Sequence, residues 1–339
     1  MKNLIINYES KIVNLYLENN LLNKLNTFLK NNKKYFVLCD EIVYDLYSKK
    51  LEFENFIFKV IPSDEEYKNI NTVEEIIKAM LDANISRSDI LINFGGGVIS
   101  DLGGFVASIY KRGIEYINIP TTLLAMVDAA LGGKTAIDLR VADRIFKNQV
   151  GSFYHPSLIL VDPLLLKTLP NSEYLSGLGE VIKYGFCFDK DLFYTLFNAF
   201  KLEDVIFNCL EIKSKITSVD EYDQNIRLAL NYGHTIGHAV EAITNFKIPH
   251  GICVLYGMLI ETIDEKQKVE LLKIIEKFNI SFDFDVSLMD LKNYIIQDKK
   301  IMNNVLKLPI LEDIGQVAIK EITIEDFFKR FVWVYLEST

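Results

Sequence analysis

Ile90-Leu-Ile-Asn-Phe-Gly-Gly-Gly-Val-Ile-Ser-Asp-Leu-Gly-Gly104 is an apolar run that meets three consecutive glycines and then resumes with helical spacing. A short apolar run bounded by glycine predicts a buried strand over 90–94. Glycines at the turn let the backbone approach a ligand closely, and a helix that follows points its amide N–H groups at an anion. A pyrophosphate site and a tight structural turn both fit these residues. The spacing is not G-x-G-x-x-G.

The pattern continues on both sides of this turn. Residues 35–39, 56–61, 116–119 and 158–161 are further runs of Val, Ile, Leu and aromatics, and 73–83 spaces its apolar residues helically. Residues 19–32 also read as helical. Strand–helix alternation predicts an α/β domain, a mostly parallel sheet covered by helices. Ligands of such sheets gather beyond the carboxyl ends of the strands, where Asp40, Gly95 and Pro120-Thr121-Thr122 fall. Asp40 suits a ribose hydroxyl, or alternatively a helix cap. From Leu169 the character changes: Leu169-Pro-Asn-Ser172 ends the strand signals and offers Ser172 as a helix cap. Helical patterns follow through 189–200, 205–218, 228–244 and 261–277. The expected division is an α/β domain over 1–168 and a mainly helical domain over 169–339.

The bulk numbers agree with two domains. The chain has 339 residues, against about 150 per domain. Half its residues are hydrophobic and 24% are charged, a globular composition. A net charge of −9 argues against a nucleic-acid partner, which wants a basic face. No apolar run approaches the ~18 residues of a membrane span, and the N-terminus lacks a signal-peptide pattern. Cys39, Cys187, Cys209 and Cys253 lie far apart without a C-x-x-C pair, as buried or incidental thiols do. The expected location is cytoplasmic.

The chain has four histidines: His155, His234, His238 and His250. Asn231-Tyr-Gly-His-Thr-Ile-Gly-His238 places two of them at i and i+4 on one helical face, and Pro249-His250-Gly251 adds a third nearby. Such clustering in a histidine-poor chain predicts a divalent-metal site, and spacing alone proposes His234, His238 and His250 as its ligands. His155, beside Pro156, reads as structural or exposed.

Together these motifs resemble the 3-dehydroquinate synthase family, within the wider sugar-phosphate cyclases. The matching stretches are Gly95-Gly-Gly-Val-Ile-Ser-Asp101, Lys111-Arg-Gly113, Pro120-Thr-Thr-Leu-Leu124, Val127-Asp-Ala-Ala-Leu-Gly-Gly-Lys134, Lys147-Asn148, Leu178-Gly-Glu-Val-Ile-Lys-Tyr-Gly185, Arg227, Leu230-Asn-Tyr-Gly-His-Thr-Ile-Gly-His238, His250-Gly251 and Asp298-Lys-Lys300. The resemblance implies a Rossmann-like α/β domain that binds NAD and a mainly helical domain that binds one divalent metal, zinc or cobalt.

Carried over by that resemblance, the metal ligands are Glu180, His234 and His250, which moves His238 to the substrate side. NAD contacts fall on Asp40, Ser63, Asp64, Glu65, Lys68, Gly96, Gly97, Val98, Ile99, Ser100, Asp101, Thr121, Thr122, Lys134, Lys147, Leu165, Leu166, Lys167 and Thr168. The substrate set is Asp128, Lys134, Asn148, Lys183, Lys213, Arg227, Asn231, His238 and one of Lys299 and Lys300. Arg112 would reach a neighbouring subunit's site, which implies a homodimer.

The implied activity is that of a carbon–oxygen lyase of the shikimate pathway. It turns 3-deoxy-D-arabino-heptulosonate 7-phosphate into 3-dehydroquinate and phosphate. NAD takes hydride from C5, the new ketone acidifies C6, phosphate leaves, hydride returns, and an aldol closure forms the carbocycle. Against the family pattern, Ile42, Asp64, Ser100, Phe146 and Ile252 are departures. Rival expectations are a 2-deoxy-scyllo-inosose or valiolone type of cyclase, a metal-dependent polyol dehydrogenase, and a non-catalytic NAD-binding module.

Overall fold

The structure, a computed structural model, describes residues 1–30, 32–51, 55–141, 144–297 and 305–329. It divides into two units, Met1–Leu169 with Lys213–Tyr222, and Pro170–Ile212 with Asp223–Thr339. Against the single boundary expected at 168/169, the division falls one residue later, and the segment Lys213–Tyr222 is part of the first unit.

The first unit is built on a seven-stranded sheet. Its strands are β1 (Lys2–Asn7), β2 (Ile12–Leu17), β3 (Tyr35–Asp40), β4 (Phe56–Ile61), β5 (Ile90–Gly95), β6 (Glu115–Pro120) and β9 (Leu158–Val161), in the order β1-β2-β9-β6-β5-β3-β4. Only β1 runs antiparallel to its neighbour. Every residue of β3 and β5 is buried, as expected where helices cover both faces of a parallel sheet. All five apolar runs are strands. A separate antiparallel hairpin, β7 (Lys134–Val141) with β8 (Arg144–Phe153), precedes β9.

Helices α1 (Glu41–Tyr47), α2 (Ile70–Asp82) and α3 (Gly97–Ile109) follow β3, β4 and β5. Val73, Ile76 and Met80 of α2 and Leu102 and Val106 of α3 pack with Phe36, Leu38 and Leu91 of the sheet. The chain goes from β3 outward to β4 and returns on the other side of β3 to β5. That reversal is the topological switch point where open α/β sheets hold ligands, and Asp40 and Gly95 end the two strands that flank it. The helical pattern over 19–32 becomes only a short 3-10 turn, Leu21–Thr27, which buries Leu21, Leu22 and Leu25.

The second unit is mainly helical. It holds α4 (Asn171–Phe188), α5 (Lys190–Thr195), the start of α6 (Leu202–Val219), α7 (His234–Ile243), α8 (His250–Glu261), α9 (Glu265–Lys277) and α10 (Leu288–Gln297). A hairpin of β10 (Val305–Asp313) and β11 (Gln316–Thr323) joins them. Ser172 lies inside α4, whose preceding residue is Pro170, and no side chain caps that helix; the cap expected at Ser172 is not formed. The pattern over 228–244 is interrupted: a 3-10 turn, Ile226–Asn231, gives way to Gly233 at φ 78° before α7 begins. Among the described residues no helix is long and apolar enough to cross a membrane, and the four cysteines are free and buried.

Candidate metal centre and cofactor turn

Glycines let three helices of the second unit meet backbone to backbone. A Cβ on Gly251 would overlap the carbonyl of Ser176, and one on Gly179 would overlap Gly251 itself, so α4 and α8 touch where neither carries a side chain. The Gly251 amide donates to Ser176 Oγ at 3.2 Å. Gly257 of α8 faces the carbonyl of Gly233 just before α7 in the same way. Glu180, His234 and His250 each sit within one residue of these close approaches.

Glu180 is 0% exposed. Its Oε1 lies 3.5 Å from Nε2 of His234 and 3.5 Å from Nε2 of His250. A tetrahedral zinc with bonds of about 2.0–2.1 Å sets neighbouring donors about 3.3–3.4 Å apart, and both Glu180–histidine distances lie close to that. Both imidazoles also face an acceptor on the other side. His234 Nδ1 is 3.2 Å from the Tyr232 carbonyl, and His250 Nδ1 is 3.1 Å from Glu241 Oε1. These acceptors hold the ring hydrogens on Nδ1 and aim Nε2 at Glu180.

The electrostatics of the two histidines differ. Burial and the nearby Lys183 ammonium hold His234 well below its ordinary value. Burial acts the same way on His250, but the carboxylates of Glu180 and Glu241 outweigh it and raise it to about 10. Lys183, 1% exposed, sits 2.5 Å from Glu180 Oε2 and donates to the Leu230 carbonyl at 2.7 Å. That bond fastens the 3-10 turn carrying Arg227, which is buried, and Asn231.

Two trios of ligand atoms converge among the described residues, Glu180–His234–His250 and His238–Glu241–His250. The all-histidine set proposed from spacing is neither of them. His238 is exposed, its ring 5.3 Å from that of His234 and 5.9 Å from that of His250. Glu241 was missed by the motif reading. Its signal was available: it lies three residues after His238 and seven after His234, on the same helical face.

The first unit gathers the other expected residues. No side chain caps α3, whose N-cap is Gly96, so its first amides are open to an anion. A Cβ on Gly96 would press on Thr122. Ser100, the departure in this turn, is buried and donates its hydroxyl to the Gly96 carbonyl at 3.1 Å. Asp40 caps α1 by accepting from the Val43 amide at 2.8 Å, and burial raises its carboxyl; of the two readings of Asp40, the cap is realised by this oxygen.

Lys68 is buried and donates at 2.6 Å to both Asp101 Oδ2 and Asn148 Oδ1. Burial opposes its charge, but Asp101 and Glu65 outweigh that and raise it. Asn148 adopts φ 54° in the hairpin, where Asp138 accepts from its amide at 2.9 Å. Lys147 pairs with Glu65 at 3.0 Å. Lys213 donates at 2.7 Å to both Asp128 Oδ1 and the Asp128 carbonyl. Lys134 is exposed at the start of β7, and Thr168 Oγ1 meets the Tyr47 hydroxyl at 2.7 Å. Ser63 and Asp64 lie in the turn after β4, Val98 and Ile99 in the first turn of α3, and Leu165, Leu166 and Lys167 in the 3-10 turn after β9. Arg112 is exposed in a turn where Lys111, at φ 47°, and Arg112, at φ 64°, are both left-handed. Lys299 and Lys300 lie outside the described residues.

Two family models match the chain in sequence: 3-dehydroquinate synthase N-terminal over residues 58–176 and 3-dehydroquinate synthase C-terminal over 177–301. A 3-dehydroquinate synthase of Clostridium botulinum is 40% identical, over 97% of this chain and 100% of that protein. In fold, the chain resembles 2-deoxy-scyllo-inosose synthase, solved with carbaglucose-6-phosphate, NAD+ and Co2+. The TM-score is 0.86 at 21% identity, covering 98% and 99% of the two chains. It is similarly close to a 2-epi-5-epi-valiolone synthase from Streptomyces hygroscopicus solved with NAD+ and Zn2+, with a TM-score of 0.85 at 23% identity over 98% of each chain.

Proposed function

The chain belongs to the 3-dehydroquinate synthase family, and from that premise we propose that it converts 3-deoxy-D-arabino-heptulosonate 7-phosphate to 3-dehydroquinate and phosphate. The observation that carries the reading is the meeting of Glu180 Oε1 with the Nε2 atoms of His234 and His250 at 3.5 Å. Those three residues hold the divalent metal, zinc or cobalt. The turn Gly96–Asp101 with Asp40, Thr121 and Thr122 holds NAD. When bound, the metal supplies Lewis acidity to a vicinal diol and NAD a reversible hydride acceptor.

The chain's own residues supply the rest. Lys183 balances the buried Glu180 carboxylate and presents its remaining N–H to the substrate. Arg227 offers a planar fork to a carboxylate or phosphate, and Lys134 and Lys213 act as point charges. Asn148 and Asn231 hydrogen-bond sugar hydroxyls. His238, exposed beside the two metal-binding histidines, contacts the substrate and moves a proton. One of Lys299 and Lys300 adds a further charge. Arg112 serves the site of a second copy in a homodimer, and the enzyme works in the cytoplasm.

Phosphate release measured with the heptulosonate 7-phosphate, glucose 6-phosphate and sedoheptulose 7-phosphate tests this reading. Release from the first substrate alone is expected. Release from either of the others in its place would assign a different cyclase activity, and no release from any of them would remove the enzyme reading.

A further inference from the structure

We propose that His155, clamped between Tyr8 and Glu221, is a positioning residue that sets the backbone behind both Lys134 and Lys213. His155 belongs to no motif of the proposed reaction, yet it is 2% exposed. Its imidazole stacks on Tyr8 with ring centroids 3.7 Å apart, and its Nε2 lies 3.1 Å from Glu221 Oε1. Glu221 also accepts from the Ser10 hydroxyl and from the Glu9 amide at 2.9 Å. The β1–β2 turn, the approach to β9 and the segment Lys213–Tyr222 therefore meet at one ring, all within the first unit.

Two paths lead from this ring to the lysines. In the first, Thr217 Oγ1 donates to the Lys213 carbonyl at 2.8 Å. Its only hydrogen is thereby used, so the Tyr8 hydroxyl, 2.9 Å away, donates to it. The chain Tyr8–Thr217–Lys213 fixes the turn of helix from which Lys213 reaches Asp128. In the second, the His155 ring fills the place where a side chain at 133 would sit: a Cβ on Gly133 would lie 2.5 Å from its Cε1. Gly133, at φ 72°, is the residue immediately before Lys134. Rotation or loss of the imidazole frees both supports at once, and a misplacement of about 1 Å can cost ~100-fold in rate.

The inference rests on Lys213 contacting the substrate. The test compares Glu221→Ala, Glu221→Gln, His155→Gln, Tyr8→Phe and Lys213→Ala in the metal- and NAD-loaded enzyme. Glu221→Ala is expected to raise KM for the heptulosonate phosphate about 10-fold and to leave bound zinc unchanged. Glu221→Gln, whose single amide oxygen still accepts from His155 and the Ser10 hydroxyl but whose NH2 faces the Glu9 amide, is expected to recover part of the KM loss. Glu221→Ala is expected to cost less in KM in the Lys213→Ala background than in wild type, the cost that remains being that of the Lys134 path, since interacting sites are not additive. Equal cost of Glu221→Ala in both backgrounds, or parallel loss of bound zinc, would overturn the proposal and mark the cluster as merely structural. An unchanged KM in Lys213→Ala would instead remove the substrate role of Lys213, and this inference with it. Should Glu221→Ala not fold, Tyr8→Phe and His155→Gln carry the same comparison, with unchanged KM in both as the refuting result.

Discussion

Glu241 Oε1 lies 3.1 Å from Nδ1 of His250, on the side of the imidazole opposite Glu180. A carboxylate can only accept, so the contact places the ring hydrogen on Nδ1 and keeps Nε2 for a cation. Loss of such a partner costs about 10- to 100-fold in metal affinity. Glu241→Ala is expected to lower zinc affinity by that factor in a chelator competition, and Glu241→Gln, which still offers an acceptor, by less. Equal affinity in all three proteins would show that Glu241 does not orient His250.

The ligand assignment itself predicts a split between two histidines. His250→Ala is expected to lose stoichiometric metal and activity together, whereas His238→Ala is expected to lose activity with metal retained. Metal analysis of the purified variants decides it. Stoichiometric metal in His250→Ala would overturn the trio of Glu180, His234 and His250.

The contact between α4 and α8 has no room for a methyl group. Gly251→Ala would push the helices apart, at about 1–3 kcal/mol for an overpacked site. A lowered Tm and weakened metal binding are both expected, because Glu180 and His250 lie on the two displaced helices. An unchanged Tm would mean that the helices do not meet this closely in solution.

Acid stability tests the anchor around His155. Burial would raise the Glu221 carboxyl, but hydrogen bonds from Ser10 and Glu9 and the facing His155 outweigh it and hold it below the ordinary glutamate value. A lowered folded-state pKa stabilises fully above the unfolded value, about 4.3, and the gain is lost as pH falls through the folded value. Glu221→Gln is therefore expected to melt below wild type at pH 7 and by a smaller margin at pH 3. A gap of the same size at both pH values would contradict this.

The parallel strands were legible because burial on both faces leaves continuous apolar runs, as in 56–61 and 90–94. The hairpins were not. β1 carries Asn3 and Asn7 and exposes Ile5, and β7 and β8 mix Lys, Arg and Asp with apolar residues, so neither shows a run or a clean alternation. Ser172 has the chemistry of a cap, but Pro170 already sets the entry into α4 and the helix begins one residue earlier. At the metal centre, spacing found the histidines and could not find Glu180, which lies far away in sequence and arrives through glycine contacts between helices. It grouped His238 with His234, whereas the converging trios set His234 with Glu180 and His238 with Glu241, each together with His250. His155 gave no motif at all; its role depends on three segments that meet only in the folded chain.

In the proposed reaction, oxidation by NAD is undone within each turnover. Phosphate and NADH followed together, with zinc, catalytic NAD and the heptulosonate 7-phosphate, test it most directly. Phosphate release equal to many turnovers per NAD is expected, with no accumulating NADH. NADH rising in step with substrate loss would contradict it and make the protein a dehydrogenase.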